Sequence, residues 1–454
     1  MKPSKSRINL TEGPVGKSIL SLMFPMMAGM VALMSYSLAD TYFVAQLGTL
    51  ELAAMSFTFP VNFIVGAIAM GIGTGVSSIC SRLFGKNEMG EVQRVATHAV
   101  ILAAIMGVAV TILGLLTIEP LFTMLGADET TLPLIDRYMS IYYFGGIFLV
   151  IPMIGNSVMR ASGDAKTPAK IMSTAAILNI VLDPILIFGL FGAPRLELEG
   201  AAIATVIANV LTALTSVGIV VFRDHLIRLK TEDLPRLMES WKEILHIGVP
   251  SMTSSLIAPM TTAFITWQVS AFGQEAVAGF GVASRVEGIA LLCMMAMSAS
   301  VAPFTGQNFG RGDYQRVKQG IRFCYKFSVG YGFTVAILMT FLSPYIAAAF
   351  TDDPKATEST LMHMRLVPWS YFMLGFSMIV VSAFNAIGKP MPAMWISLTR
   401  TILVYAPLAF FMAWAFGLIG VFMAAFIANI VSGTLGFLWF RAVFFKWKPA
   451  EATA

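Results

Sequence analysis

Hydrophobic residues in this chain come in runs too long for the core of a soluble domain. About 20 apolar residues cross a bilayer core roughly 30 Å thick. Runs of that order lie between charged or turn-rich breaks at 18–46, 52–81, 96–118, 138–159, 171–191 and 200–222. After a polar stretch they resume at 244–271, 277–309, 327–350, 366–384, 394–416 and 420–440. Lipid offers the backbone no hydrogen-bond partners, so each run must satisfy its own N–H and C=O groups as a helix. The pattern predicts an all-α polytopic membrane protein with twelve transmembrane helices.

Charge sets the orientation. Of 454 residues 57% are hydrophobic and 12% charged, against about 25% charged in a soluble domain, and the mean hydropathy is +0.77. Lys2, Lys5, Arg7 and Lys17 precede the first run, and alternate loops then hold groups such as Arg82, Lys86, Arg94 and Arg311, Arg316, Lys318. The opposite loops carry only Arg137, Arg195, Lys355 and Arg365, while Arg285 and Arg400 lie inside runs. The positive-inside rule puts both termini in the cytoplasm. It also accounts for the net charge of +5 without a nucleic-acid partner. The N-terminus leads into its apolar run with no small-residue cleavage site, as a retained first helix does.

The chain repeats itself. Ile19-Leu20 with Pro25 matches Ile244-Leu245 with Pro250; Gly48 matches Gly273, Phe84-Gly85 matches Phe309-Gly310, and Gly163 matches Gly388, all at an offset of 225. Gly200 and Ala208-Asn209 match Gly420 and Ala428-Asn429 at 220. Six helices per half is an even number, so the two halves are parallel repeats, an arrangement typical of alternating-access transporters. The organisation predicted is an N-terminal six-helix lobe at 1–222, a cytoplasmic amphipathic linker at 223–243, and a C-terminal lobe at 244–454. Leu226, Leu229, Leu234, Leu237, Met238 and Trp241 can form the apolar face of an interfacial helix around Pro235 in that linker.

Ionisable residues inside a span are costly and mark function by default. Asp40 lies about six residues before the outer end of the first run. Asp183 lies about thirteen residues into the fifth, with Asn179 one turn away on the same face. Thr205 lies about five residues into the sixth. At 1.5 Å per residue all four sit roughly 8–10 Å below the outer surface. Two carboxylates that close in an apolar setting call for a shared proton or a cation between them; Asn179 and Thr205 add the neutral oxygens a Na⁺ site uses. Pro25 and Pro184 supply helix defects that can bend. The alternative is a fixed buried hydrogen-bond network. At the repeat-related positions stand Ile265 and about Ala406, so the second half lacks these acids. It has instead Arg285, Glu287 and Arg400, readable as a buried ion pair or as a pH or substrate sensor.

Cys80, Cys293 and Cys324 match no disulfide or metal spacing and read as small apolar residues. The 30 methionines, Met294, Met295 and Met297 among them, suit either an adaptable cavity or ordinary membrane packing.

With these motifs in hand, the chain resembles the multidrug and toxic compound extrusion (MATE) family over essentially its whole length. The resemblance is carried by ILSLMFPMM, SLADTYFVAQLG with Asp40, FGKNEMGEVQR, RASGDAKTP, LNIVLDPILIFG, ASRVEGIAL, VAPFTGQNFGRGDY and FNAIGKPMPAM. It is most similar to the DinF-type branch, in which Asp40, Asn179, Asp183 and Thr205 would form an N-lobe proton or Na⁺ site. The NorM-type branch places acids in its seventh and tenth spans, which are free of acids here. The resemblance implies a V-shaped pair of bundles in a bacterial or archaeal inner membrane. It implies multidrug efflux, with cationic or amphipathic small molecules exchanged for H⁺ or Na⁺ and no other cofactor. A monomer is expected, each half supplying a lobe. The rival reading is a flippase for a lipid-linked precursor, as in MurJ-like and polysaccharide exporters; with only Arg285 and Arg400 embedded, a cationic cavity for phosphates is poorly provided. A channel would not need the asymmetric acidic cluster. An enzyme is not expected, since no HExxH or GxSxG is present and His98, His225, His246 and His363 are scattered.

Overall fold

The computed structural model describes residues 8–228 and 231–445. Lys2, Lys5, Arg7 and Leu229, invoked above, lie outside the described residues.

The apolar runs are helices. In the first half they are α1 (Val15–Ala45), α2 (Thr49–Lys86), α3 (Met89–Met124), the pair α4 (Leu132–Phe144) and α5 (Gly146–Ala161), α6 (Lys166–Phe188) and α7 (Glu197–Gly218). In the second they are α8 (Leu237–Ser270), α9 (Gln274–Gly310), α10 (Tyr314–Phe350), the pair α11 (Pro354–Leu366) and α12 (Tyr371–Ala386), the pair α13 (Pro390–Leu398) and α14 (Ala406–Phe416), and α15 (Leu418–Phe445). Counting each pair as one segment gives twelve helical segments among the described residues, six per repeat, and eleven of them are long and apolar enough to cross a membrane. Their lipid-facing sides stay apolar, with Leu116 73%, Phe341 73% and Trp414 83% exposed, because hydrocarbon solvates such side chains as well as a protein core does.

Hydropathy does not mark the breaks. The α4–α5 span bends by 46° at Gly145. Between α11 and α12 the chain tightens to a 3₁₀ turn at Val367–Ser370, and between α13 and α14 it widens to a π turn at Thr399–Tyr405. The helices also overrun their apolar cores: α11 begins at Pro354, well before the run at 366–384. Its start is set by Asp353, whose side chain accepts the Ala356 N–H at 2.8 Å, and by Pro354 at the first helical position, where the missing N–H has no partner to lose.

The chain forms two compact units. Phe24–Met252 makes one, and Thr253 onward, joined by Leu10–Met23, makes the other; the division in α1 falls next to Pro25. Packing within the units repeats. In the first, α2, α3 and α7 pack on α5 and α6 packs on α7; in the second, α9, α10 and α15 pack on α12 and α14 packs on α15. The repeat-related glycines explain two parts of this. Gly163 and Gly388 hold φ of +90° and +76°, a left-handed turn that a side chain resists. Gly200 and Gly420 let the last helix of each half touch its predecessor: a Cβ on Gly200 would meet the Leu186 backbone at 2.6 Å, and one on Gly420 would strike the Met412 carbonyl. The offset drops from 225 to 220 chiefly at the connector between these helices. It is eight residues in the first half, 189–196, and the single Gly417 in the second.

The stretch expected to form an interfacial helix does otherwise. A 3₁₀ turn at Thr231–Arg236 leads directly into α8, and the segment is pinned to α3 by polar contacts. Gln93 Nε2 donates to the His225 carbonyl at 2.8 Å, the Arg228 N–H to Thr97 Oγ1 at 3.0 Å, and Trp241 Nε1 to the His98 carbonyl at 2.9 Å. Leu226 is fully buried, while Leu234 and Met238 remain exposed. Binding to α3 takes backbone and side-chain partners that a free-lying helix would have spent on itself.

Candidate functional site

Asp40 on α1, Asn179 and Asp183 on α6, and Thr205 on α7 come together inside the first unit. All are buried, Asp183 completely and Asp40 at 4% exposure. The close approach of α7 to α6 at Gly200 is what brings Thr205, five residues further on, against Asn179. Of the two orientations of the Asn179 amide, one satisfies both polar atoms: Nδ2 donates to Asp183 Oδ2 at 3.0 Å and Oδ1 accepts the Thr205 N–H at 3.3 Å. The reverse offers only a 3.4 Å approach of Nδ2 to Thr205 Oγ1. We assign the first, as the network requires.

The two carboxylates lie close enough for their charges to act on each other, and Oδ1 of each lacks a hydrogen bond. Buried carboxylate oxygens are normally paired, and these two are exceptions among the described residues. Asp183 is followed by Pro184, which cannot return a hydrogen bond to the Ile180 carbonyl. Pro25 lies in α1 fifteen residues before Asp40, roughly 22 Å along the axis, and α1 runs through it as one helix.

Two tyrosines belong to the cluster and were not expected from the sequence. Tyr36, one turn before Asp40, places its hydroxyl 3.4 Å from Thr205 Oγ1 and within electrostatic reach of both acids. Tyr138 on α4 is also within reach of both, and its ring stacks on Tyr142 at 6.3 Å. The i, i+4 spacing of Tyr36 and Asp40 was the one signal available.

In the second unit the structure separates Arg285 from Glu287. Two residues apart on a helix point to nearly opposite sides, and Arg285 is exposed. Glu287 instead meets His363 of α11, with Oε2 3.4 Å from Nε2. Arg400, carried by the π turn, lies within charge reach of the same carboxylate. Ile265, where the repeat would place a partner of Asp40, packs among hydrophobic side chains.

Comparison with known proteins matches the MatE family model at residues 25–185 and 250–411, one match in each repeat. A protein of Shewanella oneidensis described as an FAD transporter is 37% identical over 429 residues, covering 94% of this chain and 95% of its own. The multidrug export protein MepA of Staphylococcus aureus is 26% identical, covering 92% of each chain. The crystal structure of the Vibrio cholerae MATE transporter VcmN in the bent form superposes with a TM-score of 0.89 at 30% identity, over 94% of this chain and 97% of that one.

Proposed function

Because the chain belongs to the MATE family of membrane transporters, we propose that it is an antiporter that exports amphipathic small molecules in exchange for a cation bound at Asp40 and Asp183. The observation that carries this reading is the pair of buried carboxylates, each with one oxygen lacking a hydrogen bond, held by three helices. The two acids act on each other through their charges, and like charges repel more strongly in a buried setting than in water. Neutralising one of them removes that repulsion and biases one helix arrangement over another. A proton suits the site better than Na⁺, since Asn179 turns its NH₂ toward Asp183 and its oxygen toward the Thr205 N–H. Pro25 and Pro184 provide the positions at which α1 and α6 bend. One chain, carrying both repeats, is the transporting unit. It lies in the inner membrane of a bacterium or archaeon with both termini cytoplasmic, following the distribution of Lys and Arg.

The substrate has two candidates. The multidrug relatives favour cationic or amphipathic drugs, whereas the 37% identity with the FAD transporter, against 26% with MepA, favours a flavin dinucleotide. A lipid-linked precursor is disfavoured by the scarcity of embedded cations. Export of ethidium and of FAD by reconstituted protein under an imposed pH or Na⁺ gradient tests all of this. Asp40→Asn should lose gradient-driven export while still purifying as folded protein. Equal export by variant and wild type would remove Asp40 from the coupling, and the gradient that drives wild type names the ion.

A further inference from the structure

The second unit contains a buried acid–imidazole pair for which the exchange at Asp40 has no use. Glu287 sits on α9 with its side chain 24% exposed, and His363 on α11 is 3% exposed; their Oε2 and Nε2 are 3.4 Å apart. The imidazole is wedged between Phe280 and Phe422, ring centroids 5.5 and 5.1 Å away, and its Nδ1 has no hydrogen-bond partner. The other groups that face the pair are few. Tyr371 of α12 turns its hydroxyl to the carboxylate without completing a hydrogen bond in this geometry. Arg400 approaches from the π turn at Thr399–Tyr405, a local distortion that proteins retain mostly at functional positions. From α10, Tyr331 spends its hydroxyl on the Ala290 carbonyl.

We propose that Glu287 and His363 form a second proton-binding site, separate from Asp40 and Asp183. A histidine usually has one ring nitrogen held by a neighbour, and that bond sets which nitrogen carries the proton. Here Nδ1 is held by nothing, so the hydrogen belongs on Nε2, the nitrogen turned to Glu287. When the carboxyl is ionised, it accepts the Nε2–H of neutral His363, and Arg400 offsets its charge. When one proton binds the other carboxyl oxygen, Oε2 goes on accepting the Nε2–H, the imidazole keeps its own hydrogen, and the acid becomes neutral. The net change is one proton, and no other atom is gained or lost. The difference in exposure puts the entry at Glu287, because His363 is closed off by the two phenyl rings. Loading the site frees Arg400 from its counter-charge, which links protonation to the chain at the π turn.

This inference stands independently of the role assigned to Asp40, and the test keeps the two apart. Purified protein is titrated with pH and followed by infrared difference spectroscopy in the region of the protonated-carboxyl C=O stretch. A reversible band should appear in wild type, persist in Asp40→Asn/Asp183→Asn, and vanish when Glu287→Gln is added. His363→Asn should move the midpoint of that band by at least a tenfold change in proton concentration. Spectra that are identical with and without Glu287→Gln overturn the site. If Glu287→Gln does not yield folded protein, a midpoint unmoved by His363→Asn overturns the pair.

Discussion

Asn179 donates its amide to Asp183 Oδ2 across a single turn of α6, at 3.0 Å, while Asp183 Oδ1 is left without a hydrogen bond. One acid of the cluster is thus half-satisfied by its own helix. A hydrogen bond to a charged group contributes about 1.5–3 kcal/mol, so Asn179→Leu should lower gradient-driven export at least about tenfold. In a double-mutant cycle, Asn179→Leu should add little to Asp183→Asn, because it acts through that carboxylate. Fully additive losses would assign Asn179 a role of its own.

Tyr36→Phe should be mild. The contact of its hydroxyl with Thr205 is 3.4 Å, at the far end of hydrogen-bond range, and its loss should cost under about 1 kcal/mol. Coupled export within a few-fold of wild type is expected in the vesicle assay that Asp40→Asn fails. A loss as deep as that of Asp40→Asn would make Tyr36 a direct participant in ion binding.

The repeat-related glycines are matched packing contacts. Gly200→Ala and Gly420→Ala each push a methyl into the backbone of the preceding helix, and overpacking of this kind costs about 1–3 kcal/mol. Gly218→Ala, with nothing within 4 Å of the new Cβ, should stay within about 0.5 kcal/mol of wild type. Thermal unfolding in detergent compares the three, and equal midpoints would show that the helices separate without cost.

Arg223 bridges Asp164 at 2.8 Å and Asp224 at 2.9 Å, both carboxylates being almost wholly buried, and donates to Thr167 Oγ1 at 2.9 Å. Removing one partner of a buried pair costs about 3–5 kcal/mol. Because the guanidinium is a third exposed, Arg223→Gln should lose about 1–3 kcal/mol, with Arg223→Lys between it and wild type. An unchanged unfolding midpoint would reduce the bridge to a surface ion pair.

The spans are legible because a bilayer demands long apolar helices whatever they pack against, and the depths of Asp40, Asp183 and Thr205 follow from helical rise alone. What hydropathy does not encode is where a span bends, so Gly145 and the turns at 367–370 and 399–405 leave no mark in it. Tyr36 and Tyr138 escape a reading of the sequence because tyrosine in a span is chemically ambiguous until its neighbours are known. His363 looks scattered, since its partner stands 76 residues away on another helix. Arg285 parts from Glu287 and Arg400 for a different reason. A spacing of two on a helix turns side chains to opposite sides, so angular position alone is enough to divide them.

The connectors of the two halves differ in slack. Eight residues join α6 to α7, whereas Gly417 alone joins α14 to α15. A one-residue link keeps two helix ends within a few ångström of each other, so α14 and α15 must swing as a single lever, and a push on the end of one is felt at once by the other. The longer tether imposes no such lockstep. In the half that holds the acids, the joint between α6 and α7 is made instead by contact, at Gly200 and between Asn179 and Thr205, and a contact, unlike a peptide link, can be broken and remade.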